Sequence, residues 1–171
     1  MSNKKIPITR NSMFFGSEDF KLQENMGMEW LHGLLNFSLV LYSVDREKTD
    51  NDDVYGEASP GDIRFYPPVE FKAYVQIAEP TNTSYSNGLA RYNEPGNLRA
   101  SVYMRHLKEL DIDIRYGDYI GYVETEDRVR YYNVVNDGKV TSDLAHTIGG
   151  YKAFYRTIVC SPVQGDEFKG I

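Results

Sequence analysis

The residues able to do chemistry in this 171-residue chain are few and scattered. His32, His106 and His146 stand far apart, and none lies four residues from another metal ligand, the spacing a helical zinc site needs. They read as surface or partly satisfied side chains. Cys160 is the only cysteine, so no internal disulfide forms, which fits a reducing compartment. In VCSP, at the end of a strand-like run, its ordinary role is that of a small buried hydrophobe. Asp50, Asp52, Asp53 and Glu57 crowd one loop without the order of an EF-hand, and read as a solvated segment, not a calcium site. Asp111 and Asp113 would share a face if their segment is a strand. Paired carboxylates flanking a cleft are what glycoside hydrolysis requires, but no cleft is legible in sequence. Phosphate-binding loops, dinucleotide fingerprints, nucleophile elbows and zinc-protease motifs are absent. The sequence thus shows no catalytic signature and no metal-ligand spacing.

The formal charge of −6 argues against a free-standing nucleic-acid binder, whose affinity comes from cations displacing counterions. Arg128, Arg130, Tyr131 and Tyr132 alone mix bases with aromatics. Beside Glu124, Glu126 and Asp127 they read as a charge-balanced hairpin rather than a base-stacking platform. The first residues hold no apolar core of signal-peptide length, and no apolar run reaches the ~20 residues that span a bilayer.

The elements that would carry these residues are mainly strands. Val69, Phe71, Ala73, Val75 and Ile77 alternate with polar residues, as do Leu98, Ala100, Val102 and Met104, the pattern of strands buried on one side. Leu39 to Val44 is a buried strand and Tyr151 to Val159 the last one. Gly117-Asp118 opens a hairpin running from Tyr119 to Val123 and from Val129 to Val135. In its second half Val129 and Tyr131 oppose Tyr132 and Val134, so either a bulge near Tyr131 or cover on both faces is needed. Asn25 to Leu35 has the spacing of a short helix, weakened by Gly27 and Gly33. His106 to Leu110 adds one helical turn. Strands following one another without intervening helices predict a small antiparallel β-barrel or sandwich with one short N-terminal helix, long loops and extended terminal arms. The expected division is an arm over 1–20, a single β-barrel domain over 21–160 with long loops at 45–68 and 79–97, and a polar tail over 161–171.

Tyrosine is unusually common, at 14 residues. Its ring suits both strands and contact surfaces. Aromatics outside the strands, Phe14, Phe15, Phe20, Tyr85 and Tyr92, are the candidate interface anchors.

The order of elements resembles the neck, or head-completion and head-closure, proteins of contractile-tailed bacteriophages. The pieces that carry it are LVLYSVDRE, the acidic loop ending in VYGE, a strand followed by a helical turn, and GDYIGY with RYYNV, covering Leu41 to Glu57 and Met104 to Val135, with weaker agreement to Cys160. The resemblance implies a virion structural protein, made in the host cytoplasm, without enzymatic activity or cofactor. Its partners would be further copies in a six-fold ring, a portal or adaptor ring on the head side, a tail terminator on the tail side, and double-stranded DNA passing without sequence recognition. Acids lining the channel would keep DNA from sticking, and Asp50, Asp52, Asp53, Glu124, Glu126 and Asp127 are the lumen candidates. The competing reading is a carbohydrate- or partner-binding β-module of a virion decoration or tail fibre.

Overall fold

The computed structural model describes residues 17–33, 37–49, 63–85, 90–94, 96–125, 128–139, 147–148, 152–163 and 168. Its first element is a helix, α1 (Ser17–Gly33). Strands β1 (Ser38–Tyr42), β2 (Val69–Lys72) and β3 (Tyr74–Ile77) follow, then a hairpin of β4 (Thr81–Tyr85) and β5 (Ala90–Glu94). Next come β6 (Leu98–Tyr103), α2 (Met104–Glu109), and the hairpin β7 (Tyr119–Thr125) and β8 (Arg128–Asn136). The chain ends with β9 (Thr147–Ile148), β10 (Lys152–Ala153) and β11 (Tyr155–Pro162).

Seven strands form one sheet in the order β2-β1-β7-β8-β11-β6-β3, and every pairing in it is antiparallel. The alternation that marks each strand explains the core. Leu39 and Leu41 of β1, Leu98, Ala100 and Val102 of β6, Tyr132 and Val134 of β8, and Ile158 and Cys160 of β11 all point inward and are buried together with Phe71, Leu107, Ile114 and Ile120. The fold is mainly β, as the alternation predicts, but the sheet does not close into a barrel. Its two edges are the successive strands β2 and β3, separated by Ala73 alone. One half of the 69–77 segment pairs with β1 and the other with β6. The sheet curls until its edges meet at Ala73, without a hydrogen-bonded seam.

Several expectations change. The helix runs to Gly33 from Ser17, so residues 17–20 belong to it and not to an arm. The expected loop over 79–97 holds the β4–β5 hairpin. The loop over 45–68 is closed at its base by a bridge between Val44 and Phe65, with Asp45 N–H donating to the Arg64 carbonyl at 2.8 Å. The conflict of faces in β8 is resolved by cover on both sides, not by a bulge at Tyr131. Tyr132 faces the core, whereas Tyr131 packs on the outer face against Tyr42 and Phe168. The β7–β8 irregularity falls instead between Val123 and Thr125.

Phe168 makes the supposed polar tail structural. Its ring lies 4.6 Å from that of Tyr119 and 5.1 Å from those of Tyr42, Phe65 and Tyr131. Val163 N–H donates to the Tyr131 carbonyl at 3.0 Å, which starts the tail along this face. The turn after β8 needs Gly138, whose φ is +71° and whose missing Cβ would stand 2.1 Å from the Thr157 carbonyl oxygen.

Arg156 is the one charged side chain in the inward alternation of β11. It is 1% exposed, and its Nη2 donates to the Ile114 carbonyl at 3.2 Å and to Asp113 Oδ1 at 3.3 Å. A charge at a core position needs such partners. Here they clamp the 113–114 segment against the sheet.

Phe168→Ala is expected to lower unfolding free energy by about 3 kcal/mol, near the low end for removal of a buried phenylalanine ring. Urea denaturation checks this. An unchanged midpoint would mean that the aromatic cluster holds without its hub.

Candidate functional site

Two groupings of chemistry-bearing residues emerge that linear spacing does not show. The first joins α1 to α2. Tyr103 ends β6 and its ring fills the space where a side chain at Gly27 would stand, with a Cβ there only 2.6 Å from the ring. Asn25 Oδ1 accepts from Arg105 Nη1, and the Trp30 ring stacks on Tyr74 at 6.3 Å. At the far end of this contact the rings of His32 and His106 meet edge to face at 5.4 Å. Glu109 completes a trio whose donor atoms all lie within 4.8 Å of one another.

The hydrogen bonding decides what this trio does. His106 is buried, and its Nε2 accepts from the Lys72 backbone N–H at 3.0 Å. That nitrogen therefore carries a lone pair, and Nδ1 carries the proton, which leaves no lone pair for a metal. Glu109 accepts from Arg105 Nε at 2.8 Å. The trio is thus a latch between helix and sheet. Burial pushes the His106 imidazole below its ordinary pKa, the charge of His32 and of Lys72 adds to this, and Glu109 opposes it.

The second grouping is a cleft of about 700 Å³ beside α2 at the end of β1. Leu41, Val44, Tyr66, Pro67, Val69, Leu107 and Ile112 make its apolar walls, and Ser43, Lys108, Asp111, Asp113, Arg115 and Asp118 its polar ones. Asp118 is its fastening. It is buried, and one carboxylate oxygen accepts from Val44 N–H at 3.0 Å while the other accepts from Arg115 N–H at 2.8 Å. Burial raises its pKa, and these two donors work against the rise. Gly117, at φ +86°, turns the chain so that this side chain points inward.

The carboxylate pair in the cleft is not a strand pair. Residues 111–113 lie outside any strand, and Asp111 takes a φ of +53°. Burial disfavours ionised Asp113, but Lys139, bonded at 2.8 Å, and Arg156 outweigh it and hold the group below the ordinary carboxylate range. An acid so held is a poor proton donor near neutral pH. Cys160 is fully buried, and burial pushes its thiol up to about 12. It packs as a hydrophobe and offers no thiolate.

Of the residues singled out in the sequence, Phe20 is buried on the inner face of α1 with Met28 and Leu31. It is a docking residue of its own chain. Tyr85 and Tyr92 lie in the β4–β5 hairpin, opposite Ala90 and Thr83 respectively. Glu124 accepts from Arg130 Nε at 2.7 Å and lies 3.4 Å from Arg128 Nε, so its charge is balanced within the β7–β8 hairpin. Phe14, Phe15, Asp50, Asp52, Asp53, Glu126, Asp127 and His146 lie outside the described residues. No described helix is long and apolar enough to cross a membrane.

The signal that the sequence did carry, and that linear reading passed over, is on α1. Leu22 and Met26 lie on the side away from Phe20 and Leu31, with Trp30 on the flank against Tyr74, and the three are 59%, 57% and 42% exposed. The helix is apolar on both faces. Scanned against protein-family models the chain matches none, and no curated protein matches it.

Two outcomes follow. The fold holds His106 neutral, so below about pH 6.5 the unfolded chain takes up a proton that the folded chain refuses. Stability should fall as pH drops from about 6.5 towards the lowered folded value. His106→Gln should remove that part of the pH dependence in thermal melts recorded from neutral to mildly acidic pH; an unaltered profile would exclude the latch. Asp118→Ala leaves two part-buried N–H groups without an acceptor and should cost about 1–3 kcal/mol in chemical denaturation.

Proposed function

We propose that this chain is a structural subunit of a bacteriophage head-to-tail connector, a neck protein that joins a ring, closes the DNA-filled head and gives the tail its docking surface. One support is sequence resemblance. The pieces similar to head-completion proteins, Leu41 to Glu57 and Met104 to Val135, include the end of β1, α2 and the β7–β8 hairpin, so they build the middle of the sheet.

The observation that carries the reading is the outer face of α1. Its inner face already docks on the sheet through Phe20, Met28 and Leu31. A helix normally turns polar residues to water on its other side. Here the other side presents Leu22 and Met26, and on the flank the half-exposed Trp30 stacks on the exposed Tyr74 of β3. A contiguous apolar ridge rimmed by charge marks a contact surface. The β7–β8 hairpin adds a smaller one, where Val123 and Val129 face each other across the strands and are both exposed.

In this role the chain has no catalytic duty and needs no cofactor. Its partners are six-fold copies of itself, a portal or adaptor ring, a tail terminator and passing double-stranded DNA. Its place is the virion neck. The net negative charge suits a channel through which DNA slides. A second reading, carbohydrate binding, is favoured by one feature. The exposed Tyr66 ring stands at the cleft with Asp111 and Asp113, a stacking surface beside hydrogen-bond acceptors.

Negative-stain imaging and native mass measurement, on the chain alone and with a portal–adaptor complex, separate the two. A ring with a central hole, formed alone or on the partner ring, is the expected result. A chain that stays monomeric beside that partner and binds glycans overturns the proposal.

A further inference from the structure

We propose that the turn from Tyr103 to His106 is a proton-operated release for α1: a proton taken up by the buried His106 ring frees the helix while the sheet stays folded. The device does not depend on the assembly reading. Three residues of this one turn meet α1. The Tyr103 ring fills the gap at Gly27, Arg105 Nη1 donates to Asn25 Oδ1, and the His106 ring meets that of His32 edge to face at 5.4 Å. Whatever shifts the turn therefore loosens the helix between Asn25 and His32.

The ring has one lone pair to protonate, and that lone pair is in use. His106 Nε2 accepts from the Lys72 N–H at 3.0 Å. A proton there sets donor against donor in a buried site, and both lose their partner. The groups that face the ring are His32 from α1, Lys72 from β2 and Glu109 from its own helix. His32 and Lys72 disfavour the imidazolium, and Glu109, which favours it, is already engaged by Arg105. The protonated ring relieves the conflict by leaving its seat, and the first turn of α2 moves with it. That turn is lightly held. No side chain caps it, and its backbone tie to the sheet is the Met104 N–H donating to the Phe154 carbonyl at 2.9 Å.

The sheet does not need the helix. Its main core, from Leu39 and Phe71 to Ile158 and Cys160, includes no residue of α1. Phe20, Met28 and Leu31 are buried apart from that cluster. Leu107 and Ile114 belong to the core, so the rest of α2 and the segment after it stay anchored while the first turn shifts. An element outside the main core opens at lower free energy than the whole. The sign of the pH dependence follows. Above about pH 6.5, the ordinary value of a free imidazole, the docked form has its full stability. Below it the released form takes up a proton that the docked form refuses. The balance then moves towards release by up to about tenfold per pH unit, until the lowered docked value is reached.

The test is amide hydrogen exchange on the dilute free chain at about pH 7.5, 6.5 and 5.5, corrected for the intrinsic pH dependence of exchange. The amides of α1 should open more readily than those of β6, β7 and β8 at every pH. Their protection should fall by up to about tenfold per pH unit below about 6.5. His106→Gln, whose amide oxygen can accept from the Lys72 N–H but takes no proton, should make α1 protection independent of pH. His32→Gln should keep the fall, since His106 carries the proton. A helix that exchanges only together with the sheet overturns the release. So does α1 protection that ignores pH, a fall that survives His106→Gln, or one that vanishes in His32→Gln. The wild-type series decides by itself if a variant does not fold.

Discussion

The fold depends on one nine-residue segment that supplies both edges of its sheet. Strand edges are normally a liability, since their backbone groups seek other strands. Here Lys72 sits opposite Ser38 on one side and Tyr74 opposite Ser101 on the other, so the segment changes partners within three residues. At the crossover the ladder cannot serve every donor. Ala73 N–H finds the Phe37 carbonyl at 3.3 Å, and Lys72 N–H finds the ring of His106. The residue at the pivot is a fully buried alanine, the small side chain that the crowded junction accepts. From this follow the curl of the sheet, the position of α2 against β2, and the space beside α2 that becomes the cleft.

Much of this fold was legible because burial on one face imposes a period of two. Leu98, Ala100 and Val102 announce β6, and the valines and tyrosines around Gly117-Asp118 announce the β7–β8 hairpin. The crossover was not legible, because residues 69–77 alternate without a break and nothing local says that half of them pair elsewhere. The helix was half legible. Its second apolar row, Leu22, Met26 and Trp30, blurs the single stripe by which a surface helix is recognised, and Gly27 looks like a breaker when it is a gap filled by the Tyr103 ring. Phe168 was missed because a lone aromatic in a polar tail has no period at all. Arg156 was missed because its type says surface while its phase in β11 says core.

The candidate sites were less legible still, and for a different reason. His32 and His106 are 74 residues apart, and only the docking of α1 brings them together. Asp118 reads as an ordinary turn residue, yet it fastens two walls of the cleft. The acids favoured as channel residues divide. Glu124, the one of them among the described residues, is paired with Arg128 and Arg130.

Among the described residues, a carboxylate braces backbone amides, an imidazole accepts from a strand donor, and a buried guanidinium clamps a loop. What these supports present outward is apolar ridge and apolar cleft. The most direct test is hydrogen exchange on the free and the assembled chain. The account predicts that α1, with its exposed Leu22 and Met26, gains protection on assembly. Protection confined to other elements, such as the β4–β5 hairpin, would contradict it.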